Sequence, residues 1–226
     1  METFAQNSLF RIMHKSLAYL LVFCIVNMPL WALSWHQGTN ATFNGTDTVS
    51  VNALRSYAEW NNFDTDPGQL LQFLAGGGAL SANHAVLNKV IGLDPTLFQG
   101  ILQAGQGHII LVNPNGITIT STASINAGRF SASTMDMMNV EDFLDNANVS
   151  AQEFQFQFAK MSGDPAAMVN VTDLVAIQAN RVDLLGQQVA NTGTITTDTG
   201  GVVVMAAGDR VLFGEPDTDI IVEMSG

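Results

Sequence analysis

The chain has 226 residues, of which 47% are hydrophobic and only 12% charged, with 8 basic against 20 acidic residues and a formal charge of −12. That length allows one domain with a sizeable core. The six basic residues after position 34 (Arg55, Lys89, Arg129, Lys160, Arg181, Arg210) are scattered, so no basic stripe exists to neutralise phosphates, which argues against nucleic-acid binding.

The chain solvates itself with Asn, Thr, Ser, Gln and Gly and is poor in the Lys and Glu that favour surface helices, a balance that suits a β-rich protein. Its first segment is of another kind. Arg11, His14 and Lys15 precede SLAYLLVFCIVNMPLWALS, an apolar run ending in Ala32-Leu33-Ser34. A basic start, an apolar centre and small residues at Ala32 and Ser34 describe a secretory signal, residues 1–34, cleaved near Ser34. A membrane anchor is the competing reading, but Asn27 and Pro29 break the run well before the ~20 apolar residues of a span. Cys24 lies inside this segment, so the mature chain (35–226) has no cysteine and no disulfide to form before it reaches its destination.

From Phe43 onward short alternating segments recur between Gly, Asn and Asp. FNGTDTVSV (43–51) alternates after Asn-Gly, and Asp66-Pro67-Gly68 is a strong turn signal. At Asp94 the pattern predicts a short helix. Asp94 is placed as N-cap and Pro95 as first helical residue, with Leu97, Phe98 and Ile101 on one face, weakened by Gly100. GHIILV (107–112) and ITIT (117–120) read as strands hinged on Asn113-Pro114-Asn115-Gly116, whose residue types suit a type I turn. FQFQFA (154–159) sets Phe154, Phe156 and Phe158 on one face and Gln155 and Gln157 on the other, a half-buried strand.

The last sixty residues are the most regular. Apolar clusters at Val182/Leu184, Val189, Ile195, Val202/Val204 and Val211/Phe213 begin about 6 to 9 residues apart, and every third repeats near 20 (Val182 to Val202, Val189 to Val211). Three short strands per twenty-odd residues is how a parallel β-helix winds, although an antiparallel sandwich gives similar spacing. The segments Thr42–Val51 and Phe154–Phe158 are candidates for capping the first coil. Asp217–Val222 reads as a strand with nothing after it, as if a longer array continued.

Six stretches then occur in a telling order: AVLNKVIG (85–92), GILQAGQGHIILVNPNGITI (100–119), GRFSASTMDM (128–137), VEDFL (140–144), VANTGTI (189–195) and VVVMAAGDRVLF (202–213). In that order the chain resembles the N-terminal secretion (TPS) domain of two-partner-secretion exoproteins of the filamentous haemagglutinin group, most like the high-molecular-weight adhesin branch. The resemblance runs from about Phe43 to Glu223. It implies an all-β fold, a right-handed parallel β-helix with an N-terminal cap and extra-helical β-hairpins. It further implies export by the Sec translocon into the periplasm of a Gram-negative bacterium. There the passenger meets an outer-membrane β-barrel transporter with periplasmic POTRA domains, passes through it and folds outside, secreted or held at the cell surface. The resemblance makes Asn113, Pro114, Asn115 and Gly116 the secretion motif. A second family motif, NPNL, is missing; the stretch taken to correspond is Asn83–Asn88.

Two other function classes are weighed. Many polysaccharide lyases and hydrolases are β-helices with clustered carboxylates, and Arg181/Asp183 and Asp209/Arg210 are the pairings that such an enzyme would use. Solvated acids at coil corners explain them more simply, and the chain is read as no enzyme. An adhesive module is the third class. In the family, adhesion, cytolysis (haemolysin-type exoproteins) and contact with host-cell or surface glycans mostly reside downstream. No metal or cofactor is expected: His14, His36, His84 and His108 lack paired spacing, and no phosphate-binding loop is present. Met135, Met137 and Met138 read as packing residues.

Overall fold

The computed structural model describes residues 33–145, 156–160, 166–172, 175–213 and 220–223. Strand labels run in chain order. A first sheet holds β1 (Ser34–Thr39), β4 (Arg55–Asn62), β7 (Ala85–Val90), β10 (His108–Val112), β13 (Arg129–Ser133), β18 (Arg181–Gly186) and β21 (Val202–Ala207). A second holds β2 (Ala41–Phe43), β3 (Thr48–Val51), β5 (Leu70–Ala75), β9 (Ile101–Gln103), β12 (Ser124–Asn126), β17 (Ala176–Gln178) and β20 (Thr194–Thr196), with the short β6 (Gly78–Ala79) against β5. The third holds β8 (Thr96–Phe98), β11 (Ile117–Ile119), β16 (Met168–Val171) and β19 (Gln188–Asn191). From β7 onward the chain visits first, third and second sheet in turn, and each strand pairs in parallel with its counterpart one coil on. This is the parallel β-helix.

Period-2 alternation decides what faces inward. In the first sheet Ala58 and Trp60, Val86 and Val90, Ile109 and Leu111, Phe130 and Ala132, and Val182 and Leu184 stack coil upon coil into a buried column. Trp35, Phe43, Trp60, Phe63 and Phe98 plug the N-terminal end, the first two meeting Trp60 at 4.9 and 5.1 Å between ring centroids. The edge is blunted by direction as well: β1 runs antiparallel to β4, and β2–β3 form an antiparallel hairpin that begins the second sheet. The Thr42–Val51 segment is thus part of the cap that the sequence leads one to expect. At the other end Val203 and Met205 continue the inward register of Val182 and Leu184, no described residue forms a further rung on them, and they are 44% and 47% exposed.

A fourth sheet lies outside the coils: β14 (Asp136–Met137), β15 (Phe156–Ala159), β22 (Arg210–Phe213) and β23 (Ile220–Glu223), all antiparallel, with the helix α1 (Val140–Asp145) in the same excursion. The excursion explains a jump in the repeat. Arg129 pairs with Arg181, 52 positions on (181 − 129), whereas His108 to Arg129 and Arg181 to Val202 each advance 21 (129 − 108 and 202 − 181).

Four expectations change. No helix forms after Asp94; Thr96–Phe98 and Ile101–Gln103 are strands, with Thr96 and Phe98 buried. Gly100, which weakens a helix, is what lets the coils close here, since a Cβ would lie 2.5 Å from the Gln69 carbonyl oxygen. Val182 stacks on Val203, not Val202, and Val211 leaves the coils for the fourth sheet, so Val189 and Val211 are no repeat. Phe156 and Phe158 are buried with Gln157 half-buried, as alternation demands, but they cover the flank of the first sheet and do not cap it. Phe154 is outside the described residues. Met135 and Met137 are buried, whereas Met138 is 45% exposed.

Candidate functional site

The Asn113-Pro114-Asn115-Gly116 corner carries the chain from β10 to β11. Its turn is closed by the Gly116 N–H donating to the Asn113 carbonyl at 3.1 Å, and the Asn115 N–H donates to Asn113 Oδ1 at 2.9 Å. Gly116 has φ +122°, a region open to glycine and costly for other residues.

The side chains bind the rung beneath. Asn113, fully buried, donates from Nδ2 to the Asp94 carbonyl at 3.0 Å and to Thr96 Oγ1 at 2.9 Å. Asn115 Nδ2 donates to the Gly92 carbonyl at 2.9 Å. The backbone completes the weld: the Thr96 N–H donates to the Gly116 carbonyl at 2.9 Å, and the Asn113 N–H donates to Ser133 of the rung above at 3.0 Å. Asn113, Pro114 and Gly116 are buried and Asn115 is half-buried. What lies under the motif is Gly92-Leu93-Asp94-Pro95, since Ile117 pairs with Thr96; Asn83–Asn88 instead leads into and forms β7. Asn88 faces the core, its Oδ1 accepting the Trp60 indole N–H at 3.1 Å. Leu93, by contrast, is 89% exposed beside this corner.

A second constellation escapes reading along the chain. Arg55, His108, Arg129 and Arg181 occupy one outward-facing row of the first sheet, so three of the six basic residues after position 34 share it. The fourth sheet and α1 bury this row. Phe156 covers Arg129 at 5.3 Å and Phe143 covers Arg55 at 5.6 Å, measured to the ring centroid. Asp183 sits in the middle with no exposure. It accepts from Arg129 Nε at 3.0 Å, Arg181 Nε at 2.8 Å and the Ser131 hydroxyl at 2.8 Å; His108 Nε2 lies 2.8 Å from that hydroxyl, and Arg129 Nη2 completes the ion pair at 2.9 Å from Asp183 Oδ2. Burial, with Arg181 adding to it against the pull of Asp183, brings the Arg129 guanidinium down to about 10. His108 is held well below its usual value by burial and by Arg129, Arg55 and Arg181, so it is neutral at pH 7.

The Arg181/Asp183 pair is therefore closed off from any substrate. Asp209 Oδ1 accepts from Gln187 Nε2 at 3.0 Å, and among the described residues no group of acids, histidines and cysteines is arranged to hold a metal ion. The sequence signal of the row is the phase of rare charges on strands one coil apart, and the 52-residue step hides it. Of the residues assigned to cleavage, Ser34 is the first residue of β1 and Ala32 lies outside the described residues.

Similarity to known proteins matches this architecture. A heme/hemopexin-binding protein of Haemophilus influenzae is 27% identical over 185 residues, which make up 81% of this chain and 19% of that protein. The crystal structure of the HMW1 secretion domain from Haemophilus influenzae superimposes with TM-score 0.64 at 25% identity, covering 87% of this chain and 50% of that one. The filamentous hemagglutinin secretion domain superimposes with TM-score 0.58 at 19% identity over 86% of this chain and 69% of that one, a likeness of fold. The chain thus spans about a fifth of the hemopexin-binding relative and half of the HMW1 secretion-domain structure. The sequence pattern of the TPS secretion domain matches residues 34–221, and with β-helix, cap and extra-helical sheet all present the chain belongs to the TPS secretion domain family.

Proposed function

We propose that this domain directs a large exoprotein to a dedicated outer-membrane β-barrel transporter and begins its β-helix outside the cell. In this reading residues 1–34 are a Sec signal, the unfolded chain crosses the periplasm, and POTRA domains of the transporter receive it there. The observation that carries the reading is the family match over residues 34–221. The C-terminal rung supports the second half: Val203 and Met205 offer an apolar surface of the register on which another coil stacks, at roughly 25 cal/mol per Å² of apolar area buried.

The role we assign to Asn113–Gly116 follows from burial. Once folded, the motif spends its amides on Gly92, Asp94 and Thr96 and presents only part of Asn115 to solvent. A transporter that reads these four residues reads them before the coils stack. After stacking, the motif is a corner that fixes the step between two rungs.

The test is secretion of the chain by cells with and without the cognate transporter, for wild type and Asn115→Ala. Release of wild type only with the transporter, and retention of the variant, is expected. Release without the transporter, or retention of wild type in both strains, sinks the export reading. Normal release of Asn115→Ala removes the motif from it.

A further inference from the structure

The outward face of the second sheet carries no formal charge on its rungs. Its first outward column runs Leu70, Ile101, Ser124, Ala176, Thr194, and the parallel one runs Thr48, Gln72, Gln103, Asn126, Gln178, Thr196, in strict register. Stacked strands lie about 4.8 Å apart, so the second column is a straight ladder of amides and hydroxyls at that interval. Gln72 donates to Thr48 Oγ1 at 3.0 Å; among the described residues the side chains of Gln103, Asn126 and Gln178 make no hydrogen bond within the protein, and all three are exposed. The β5–β6 hairpin raises a wall beside the ladder, leaving a groove of about 350 Å³ lined by Gln72, Leu74, Ala79, Gln103 and Asn126.

We propose that this face binds a linear neutral glycan lying along the helix axis. An amide side chain offers both donors and acceptors, the pairing that a sugar hydroxyl needs. The rung interval is close to the length of one pyranose unit in an extended chain, so each sugar meets one rung; alternate sugars of a β-1,4 chain are turned over, and an amide, donor and acceptor at once, serves either orientation. Leu70, Ile101 and Ala176 in the neighbouring column give the C–H faces of the sugars an apolar floor. Other partners fit less well. A phosphate polymer or an anionic lipid surface needs cations, of which these rungs have none. An added peptide strand pairs with a sheet edge, not a sheet face. A second copy would bury mostly amides and hydroxyls that find no charge or large apolar group opposite. The proposal is independent of the export reading, since it concerns the folded domain alone.

The experiment is affinity electrophoresis and calorimetry of the secreted chain with soluble β-1,4-glucan and chito-oligosaccharides, polygalacturonate serving as the acidic comparison. Retardation by the neutral β-1,4 chains is expected, with Kd raised about tenfold or more by Gln103→Ala/Asn126→Ala and Tm unchanged. Thr118→Ala/Asn170→Ala, on the outward face of the third sheet, should leave binding intact. Gln178→Ala, a single rung further along, should weaken long chains more than short ones, and it serves as the reporter if the double variant does not fold. No retardation by any neutral chain overturns the proposal, as does equal loss in the third-sheet control. Self-association that rises with concentration and vanishes in Gln103→Ala/Asn126→Ala would assign the face to a second copy, and also overturns it.

Discussion

Replacing Asn113 and Asn115 separately by alanine separates the corner as architecture from the corner as a signal. Asn113→Ala deletes two donated bonds, to the Asp94 carbonyl and Thr96 Oγ1, and the bond accepted from the Asn115 N–H. Each is worth about 1 kcal/mol net, and Thr96, 1% exposed, is left without its partner where water does not reach. The cost is therefore about 3 kcal/mol, and more if the rungs cannot close over the gap. Asn115→Ala deletes one side-chain bond, to the Gly92 carbonyl, at a half-buried position, for about 1 kcal/mol. In a domain of this size 1 kcal/mol moves Tm by about 2–4 °C, so the variants should melt roughly 6–12 °C and 2–4 °C below wild type. The assay is thermal unfolding by circular dichroism of secreted protein, read beside export yield. If the corner acts through shape alone, the export defect follows the same order, Asn113→Ala worse. A larger loss of Tm in Asn115→Ala than in Asn113→Ala would refute the reasoning from burial. A severe export defect in Asn115→Ala with small Tm loss would assign the motif to recognition of the unfolded chain.

The buried row of charges gives two more. Asp183→Ala leaves Arg129 and Arg181 side by side without their shared carboxylate, and urea unfolding should register a loss of about 3–5 kcal/mol; a loss under about 1 kcal/mol would mean that the row relaxes into solvent. His108 is held neutral in the fold, with Arg55, Arg129 and Arg181 around it, Asp183 reached through Ser131, and Phe156 against the ring, so the unfolded chain takes up the proton first. Its contribution is complete above the ordinary histidine pKa of about 6.5 and is lost as pH falls below it. Wild type should therefore lose more stability than His108→Gln between pH 7.5 and pH 5, and parallel pH profiles would refute the assignment.

What the sequence alone determined is local and periodic. Alternation at Val182/Leu184 and at Phe156/Phe158, the turn at Asn113–Gly116 and the return of apolar pairs near twenty residues are all read along the chain, and they fit a β-helix while an antiparallel sandwich gives similar spacing. The tertiary structure decided whatever depends on which coil lies against which. Local preference read a helix at Asp94, but Thr96 and Phe98 pair with Ile117 and Ile119, and their burial inside the coil outweighs the few tenths of a kcal/mol by which propensity favours one state over the other. Val211 fits the repeat by count and leaves it in space, because β15 supplies a partner outside the coils. The Arg129–Asp183–Arg181 cluster and the amide ladder are likewise invisible along the chain. Each gathers residues from separate coils, the cluster across 54 positions from Arg129 to Asp183, and only stacking in register puts them within reach of one another.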